Sequence, residues 1–98
     1  MPPRSRRRFD HLHVELCVAV RARVSRFALW LELREQGADP EALRREEALA
    51  FCDERLERFL RERELALAPR AARRLRRAVE RFDPSTPTPY ERFEALTR

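Results

Sequence analysis

Hydrophobic residues recur with helical spacing from about Asp10 onward. They are separated alternately by four and three residues, the spacing of a seam along which two helices pack; the positions are His13, Cys17, Val20, Val24, Phe27 and Leu31. A second apolar set, which includes Trp30, lies on the other side of the same predicted helix. A helix that is apolar on two sides is buried on two sides. The pattern therefore predicts one long helix over residues 10–36 that contacts more than one neighbour.

Glycine and proline divide the rest of the chain into shorter helices. Gly37 is the natural residue to end the first helix, and Asp39 followed by Pro40 is a typical start for the next. The apolar stripe of that second helix predicts residues 40–65, and a connection this short makes the two helices an antiparallel hairpin. Pro69 opens a predicted third helix over 69–82, and a capping box at Thr88 opens a short fourth helix over 88–97.

The predicted fold class is all-α, an elongated antiparallel helical bundle. Residues 1–9 form a basic amino-terminal arm, and residues 10–98 form a single domain. A helix over 10–36 would be roughly 40 Å long at the usual rise, longer than a compact domain of this size. Because the remaining helices cover it poorly, we expect a homodimer. The residues expected in the oligomer core are Val20, Val24, Phe27, Trp30 and Leu31.

Composition narrows the function more by exclusion than by identification. The chain has 98 residues and one glycine, too few glycines for a β-sandwich or for a glycine-rich nucleotide loop. Its serines lack the flanking glycines of a nucleophile elbow, and its acidic residues are interleaved with arginine. We therefore expect no enzymatic activity, no catalytic residue and no cofactor. The longest uncharged stretches are too short for a membrane span, and the basic start lacks the apolar segment of an export signal, so we expect a cytoplasmic protein.

His13 and Cys17 are the only residues whose spacing suggests chemistry. One helical turn apart, they point the same way, as metal ligation requires, and Cys52 is the candidate third ligand. Structural zinc normally takes four ligands, and buried cysteine often acts as a small hydrophobic residue. A thiol or metal sensor is therefore an alternative, and we expect no bound metal.

Positive charge is concentrated in two places. Residues 69–82 carry six arginines against one glutamate, and the arm carries a run of three. An anionic partner would relieve the repulsion between these arginines, although acidic residues of the second helix, such as Glu54, Glu57, Glu62 and Glu64, could also do so. The predicted partner-binding residues are Arg6, Arg7, Arg8, Arg70, Arg73, Arg74, Arg77 and Arg81.

The sequence thus favours a non-enzymatic interaction or assembly protein that acts through an oligomeric bundle and a basic surface. Its partner would be an acidic protein. The main alternative is a protein that binds nucleic acid without sequence preference, through the third helix and the arm.

Overall fold

The computed structural model describes residues 5–85, and there the long helix predicted over 10–36 is two helices. Helix α1 spans Arg7–Val20 and helix α2 spans Arg26–Gln36. The prediction of one continuous helix is therefore wrong. The break also removes the reason for expecting an elongated molecule, because α1 alone is only about 21 Å long at the usual helical rise.

Arg21 ends α1 without the help of a glycine. Its backbone adopts the left-handed conformation, with φ at 55°. The N–H of Ala22 then donates to the carbonyl of Cys17, and the N–H of Arg21 donates to that of Val18. These two bonds form a Schellman motif, which satisfies carbonyls that a helix end leaves free.

Ser25 starts α2 a few residues later. Its Oγ accepts a hydrogen bond from the N–H of Ala28 at 3.1 Å, the usual arrangement of a serine N-cap. Val24 and Leu29 occupy the two positions of a hydrophobic staple around this cap, and both are buried. The chain therefore reverses direction between α1 and α2 through a capped turn.

The connection after α2 is longer than the sequence suggests. Gly37, at φ 97°, ends α2, and Asp39 caps only a short 3₁₀ helix, Pro40–Ala42. The next helix, α3, comprises three consecutive segments: Arg45–Ala50, the π-helical Phe51–Arg55, and Leu56–Arg61. At its start, Glu47 accepts a hydrogen bond from the N–H of Arg44. The predicted helix 40–65 is thus a 3₁₀ turn followed by α3.

Helix α4 spans Pro69–Arg81 and packs against both α1 and α3. It runs antiparallel to α1: His11 near the start of α1 stacks on Phe82, which follows α4, with ring centroids 4.2 Å apart. At the other end, Ala19 and Ala71 line one small groove. A buried carboxylate, Glu32 of α2, receives a 2.6 Å hydrogen bond from Arg58 of α3 and joins those two helices.

The helices enclose one core. Its fully buried large side chains are Phe9, Leu12, Leu16, Leu29, Leu33, Phe51, Phe59 and Val79. The all-α prediction is confirmed, since residues 5–85 contain four α-helices and no β-strand. The radius of gyration is 13.9 Å, near the value of about 13 Å for a compact chain of this size, so the elongated shape is not found. The predicted helix 88–97 lies outside the described residues.

Candidate anion-binding face

Helix α4 separates its apolar and basic side chains. Pro69 begins it at a position where a missing N–H costs nothing, and Leu75 and Val79 are buried. At 100° per residue, four arginines fall within an arc of about 60° on the opposite side, and their row is roughly 16 Å long. Arg73 lies beside this row. We call this set the arginine face: Arg70, Arg73, Arg74, Arg77 and Arg81, all of them exposed.

The sixth arginine of α4 shows what internal neutralisation looks like. Two of the three guanidinium nitrogens of Arg76 donate to the carboxylate of Asp53 in α3, Nε at 2.8 Å and Nη2 at 3.1 Å. This hydrogen-bonded pair lowers the pKa of Asp53 and raises that of Arg76. Arg76 also contacts Glu80 at 3.4 Å. One acidic residue of α3 therefore neutralises one arginine of α4.

The arginine face itself has no such partner. Within residues 5–85, none of its five guanidinium groups forms an ion pair or a hydrogen bond. Glu62, one of the acidic residues that could have neutralised it, instead contacts Arg58 and Arg63. The charge of this face is available to an external anion.

Arg21 adjoins the arginine face, and the sequence analysis did not predict it as a binding residue. It lines, with Val18 and Arg74, a shallow groove of about 110 Å³ between α1 and α4. In a continuous helix, Arg21 would be one surface arginine among many. The turn that ends α1 brings Arg21 beside α4, and no sequence motif predicts that turn.

The predicted basic arm is not an arm as far as the structure describes it. Arg6 precedes α1 and is exposed, whereas Arg7 and Arg8 belong to α1. Arg8 is only 8% exposed, its guanidinium lies 5.5 Å from the ring centre of Phe82, and burial lowers its pKa. Helix α1 starts this early because Phe9 is a core residue and Ser5 accepts a hydrogen bond from the N–H of Arg7. Arg8 is therefore not a surface contact residue.

His13 and Cys17 lie together as predicted, but their polar atoms form hydrogen bonds with the backbone of the turn after α1. His13 Nε2 is 2.6 Å from the carbonyl oxygen of Val24, so that nitrogen must carry the proton and donate. Cys17 Sγ accepts from the N–H of Val24 at 3.4 Å and is 3.6 Å from the same histidine nitrogen. A metal ion would have to displace the Val24 carbonyl to use Nε2 of His13.

Cys52 does not complete this pair. It lies in the π-helical segment of α3, and burial raises the pKa of its thiol to about 12, which makes it a poor nucleophile and ligand near neutral pH. Within the described part of the chain, no group of three or more His, Cys, Asp or Glu residues could hold a metal ion.

The predicted oligomer core is divided between the interior and the surface. Val24 is buried at 4% exposure, and Val20 and Trp30 are half-buried against the core. Phe27 and Leu31 are 70% and 45% exposed. Val24, which was predicted to contact a second chain, is instead buried in the core of its own chain because the turn after α1 directs it inward.

Comparison with models of protein families, with curated protein sequences and with solved structures finds no match. No helix in residues 5–85 has the length and hydropathy needed to cross a membrane.

Proposed function

We propose that this chain is a non-enzymatic binding protein whose arginine face holds the phosphate backbone of a nucleic acid. The observation that carries the proposal is the contrast within α4. Arg76 is neutralised by Asp53, whereas the five arginines of the face have no ionic partner in the described residues. Guanidinium groups stay charged at all physiological pH values, so they suit anion binding better than proton transfer.

The row fits a phosphate backbone in charge and in spacing. Its arginines are three or four residues apart, which places their successive Cα atoms roughly 4.5–6 Å apart along the helix axis. Arg21 adds a positive charge across the groove beside Arg74, although the carboxylate of Glu15 also lines that groove. Contacts of this kind recognise phosphate rather than base edges, so the binding would not depend on sequence.

The structure also weakens the main argument for an assembly module. That argument depended on an uninterrupted seam over residues 10–36, which is broken at Arg21. A cytoplasmic location is part of the proposal, since Cys17 and Cys52 are both free thiols, the state expected in a reducing compartment.

A salt titration of binding to a random DNA duplex tests the proposal. Five phosphate contacts predict a log–log slope of about −4.5, because each contributes about −0.9. Replacing Arg73, Arg74 and Arg77 with Gln should reduce the slope by about 2.7 and weaken binding about 500-fold at 0.1 M salt. Fluorescence anisotropy of a labelled duplex measures both quantities.

A matched variant separates the face from net charge. Arg34, Arg45 and Arg61 are exposed arginines of α2 and α3, and replacing these three with Gln removes the same charge. This control should leave the slope unchanged. Equal losses in the two triple variants would show that only net charge matters and would overturn the proposal. So would polyglutamate competing as well as DNA at equal charge, which would indicate an acidic protein partner instead.

A further inference from the structure

A groove lies between α3, the turn that follows α3, and α4. Its volume is about 500 Å³, within the range of roughly 300–1,000 Å³ that is usual for binding pockets. The floor is apolar and is formed by leucines from α3 and from the turn that follows it: Leu56, Leu60, Leu65 and Leu67. Leu65 and Leu67 are only half-buried, so apolar surface is accessible in the groove.

The rim of the groove is acidic, although the protein as a whole is basic. Asp53, Glu54 and Glu57 line it, and Arg61 is the one basic residue among the described residues of its lining. Asp53 is neutralised by Arg76, but Glu54 and Glu57 form no ion pair within residues 5–85. The groove therefore combines an apolar floor with uncompensated negative charge.

The opposite combination occurs on α2. Phe27 and Leu31 are one helical turn apart and project from the side of α2 opposite its core residues Leu29 and Leu33. Phe27 is the most exposed of the large hydrophobic side chains in the described residues. Arg34 lies on the same side of the helix, one turn beyond Leu31, and is exposed without an ion pair in the described part of the chain. We call Phe27 and Leu31 the knob.

We propose that the groove of one copy of this chain binds the knob of a second copy. The apolar side chains of the knob would pack on the leucines of the groove, and Arg34 beside the knob would meet the free carboxylates of Glu54 and Glu57. Glu35, also exposed at the edge of the knob, has a counterpart of opposite sign in Arg61.

The charges favour this arrangement over a symmetric contact between two knobs. Two α2 helices paired through Phe27 and Leu31 would bring two copies of Arg34 toward the same interface without an acidic groove between them. Because knob and groove are different surfaces, the contact is head-to-tail, and a dimer retains a free knob on one copy and a free groove on the other, to which further copies can bind. The inference does not depend on the proposed function, since it uses no residue of the arginine face.

Sedimentation velocity and light scattering with complementary variants test the inference. The knob variant carries Phe27→Glu and Leu31→Glu, and the groove variant carries Glu54→Gln and Glu57→Gln. The wild-type chain should form dimers and larger species as its concentration rises toward 1 mM at low salt. Each variant alone should require at least tenfold higher concentration to associate. An equimolar mixture should form a one-to-one dimer and nothing larger, because only one intact knob and one intact groove can then meet.

The matched control changes two equally exposed valines of α1. Val14 and Val18 are 55% and 66% exposed and are also one turn apart, so Val14→Glu with Val18→Glu adds the same charge outside the proposed interface. This variant should associate like the wild type, and circular dichroism should show that all variants are folded.

Three results would overturn the inference: a wild-type chain that remains monomeric at 1 mM, a groove variant that associates as strongly as the wild type, or a control variant as impaired as the knob variant. The second result would indicate a symmetric contact between knobs. DNA binding by the knob variant reports on the arginine face separately, so the two proposals fail independently.

Discussion

The turn that ends α1 yields the sharpest stability prediction. Within residues 5–85, three helices are followed by a residue in the left-handed conformation, and one of these residues, Gly37, is a glycine; the others are Arg21 at φ 55° and Glu64 at φ 58°. At each end the same two hydrogen bonds form, for example from Leu65 to Leu60 and from Glu64 to Arg61. This conformation costs an ordinary residue about 1–2 kcal/mol. A glycine would avoid that cost.

We therefore expect Arg21→Gly and Glu64→Gly to stabilise the protein. The relief is partly offset by the greater flexibility of glycine in the unfolded chain, which costs about 0.4–1 kcal/mol. The net gain in the free energy of unfolding should be about 0.5–1 kcal/mol, which raises Tm by about 5 °C in a domain of this size. Conversely, Gly37→Ala should destabilise through its φ of 97° alone, since an added Cβ would meet no atom within 4 Å.

A second arginine-to-glycine substitution provides the comparison. Arg77 is exposed in the middle of α4 and has no ion pair in the described residues, so Arg77→Gly should cost about 1 kcal/mol, the usual penalty inside a helix. Urea unfolding followed by circular dichroism measures both variants at micromolar concentration. If residues 10–36 formed one continuous helix, the two substitutions would cost the same. Equal destabilisation by Arg21→Gly and Arg77→Gly would thus refute the turn and the reasoning built on it.

Two further predictions concern the groups that hold the core and the turn. His13→Phe keeps a ring at this position but removes the donor to the Val24 carbonyl, so it should lower the free energy of unfolding by about 1 kcal/mol, as measured in urea titrations. Stabilisation of the wild type by added zinc would contradict this role, because it would show that His13 is free to bind metal. Burial raises the pKa of Cys52 to about 12, so between pH 9 and pH 12 the folded thiol keeps a proton that the unfolded one loses, and stability should fall as pH rises by at most about 1.4 kcal/mol per pH unit. Cys52→Ala should remove that part of the slope in unfolding curves recorded from pH 8 to pH 10.5, and an unchanged slope would assign it to other groups.

The helix boundaries that the sequence predicted correctly are those set by proline and glycine. Pro69 begins α4, and Gly37 ends α2, in both cases because the backbone of these residues admits few or special conformations. The clear apolar stripe of α4 also showed which side would be basic. The arginine face could therefore be proposed from spacing alone, whereas the pairing of Arg76 with Asp53 required the contact between α3 and α4.

The ends of α1 and α3 could not be predicted in this way. Arg21 and Glu64 adopt a backbone conformation that is unfavourable for residues with a side chain. They do so because tertiary contacts elsewhere offset its free-energy cost. After Arg21, the turn buries Val24 and positions Ser25 as a cap; after Glu64, the chain places Leu65 against the core. The intrinsic conformational preferences of the residues do not predict such a compensation, because it depends on tertiary contacts. The same compensation brings Arg21 beside Arg74.

The choice of the buried side of α1 shows a different limit of periodicity. Apolar residues surround most of this helix, so both the set with His13 and Cys17 and the set with Phe9, Leu12 and Leu16 have helical spacing. The two sets are centred only about 70–80° apart at 100° per residue. The structure buries the second set and uses the first at the edge of the core, where polar His13 can reach the Val24 carbonyl. A histidine within an apolar seam is easier to satisfy at such an edge than in the centre, because a buried ring nitrogen needs a partner and the backbone of a turn supplies one.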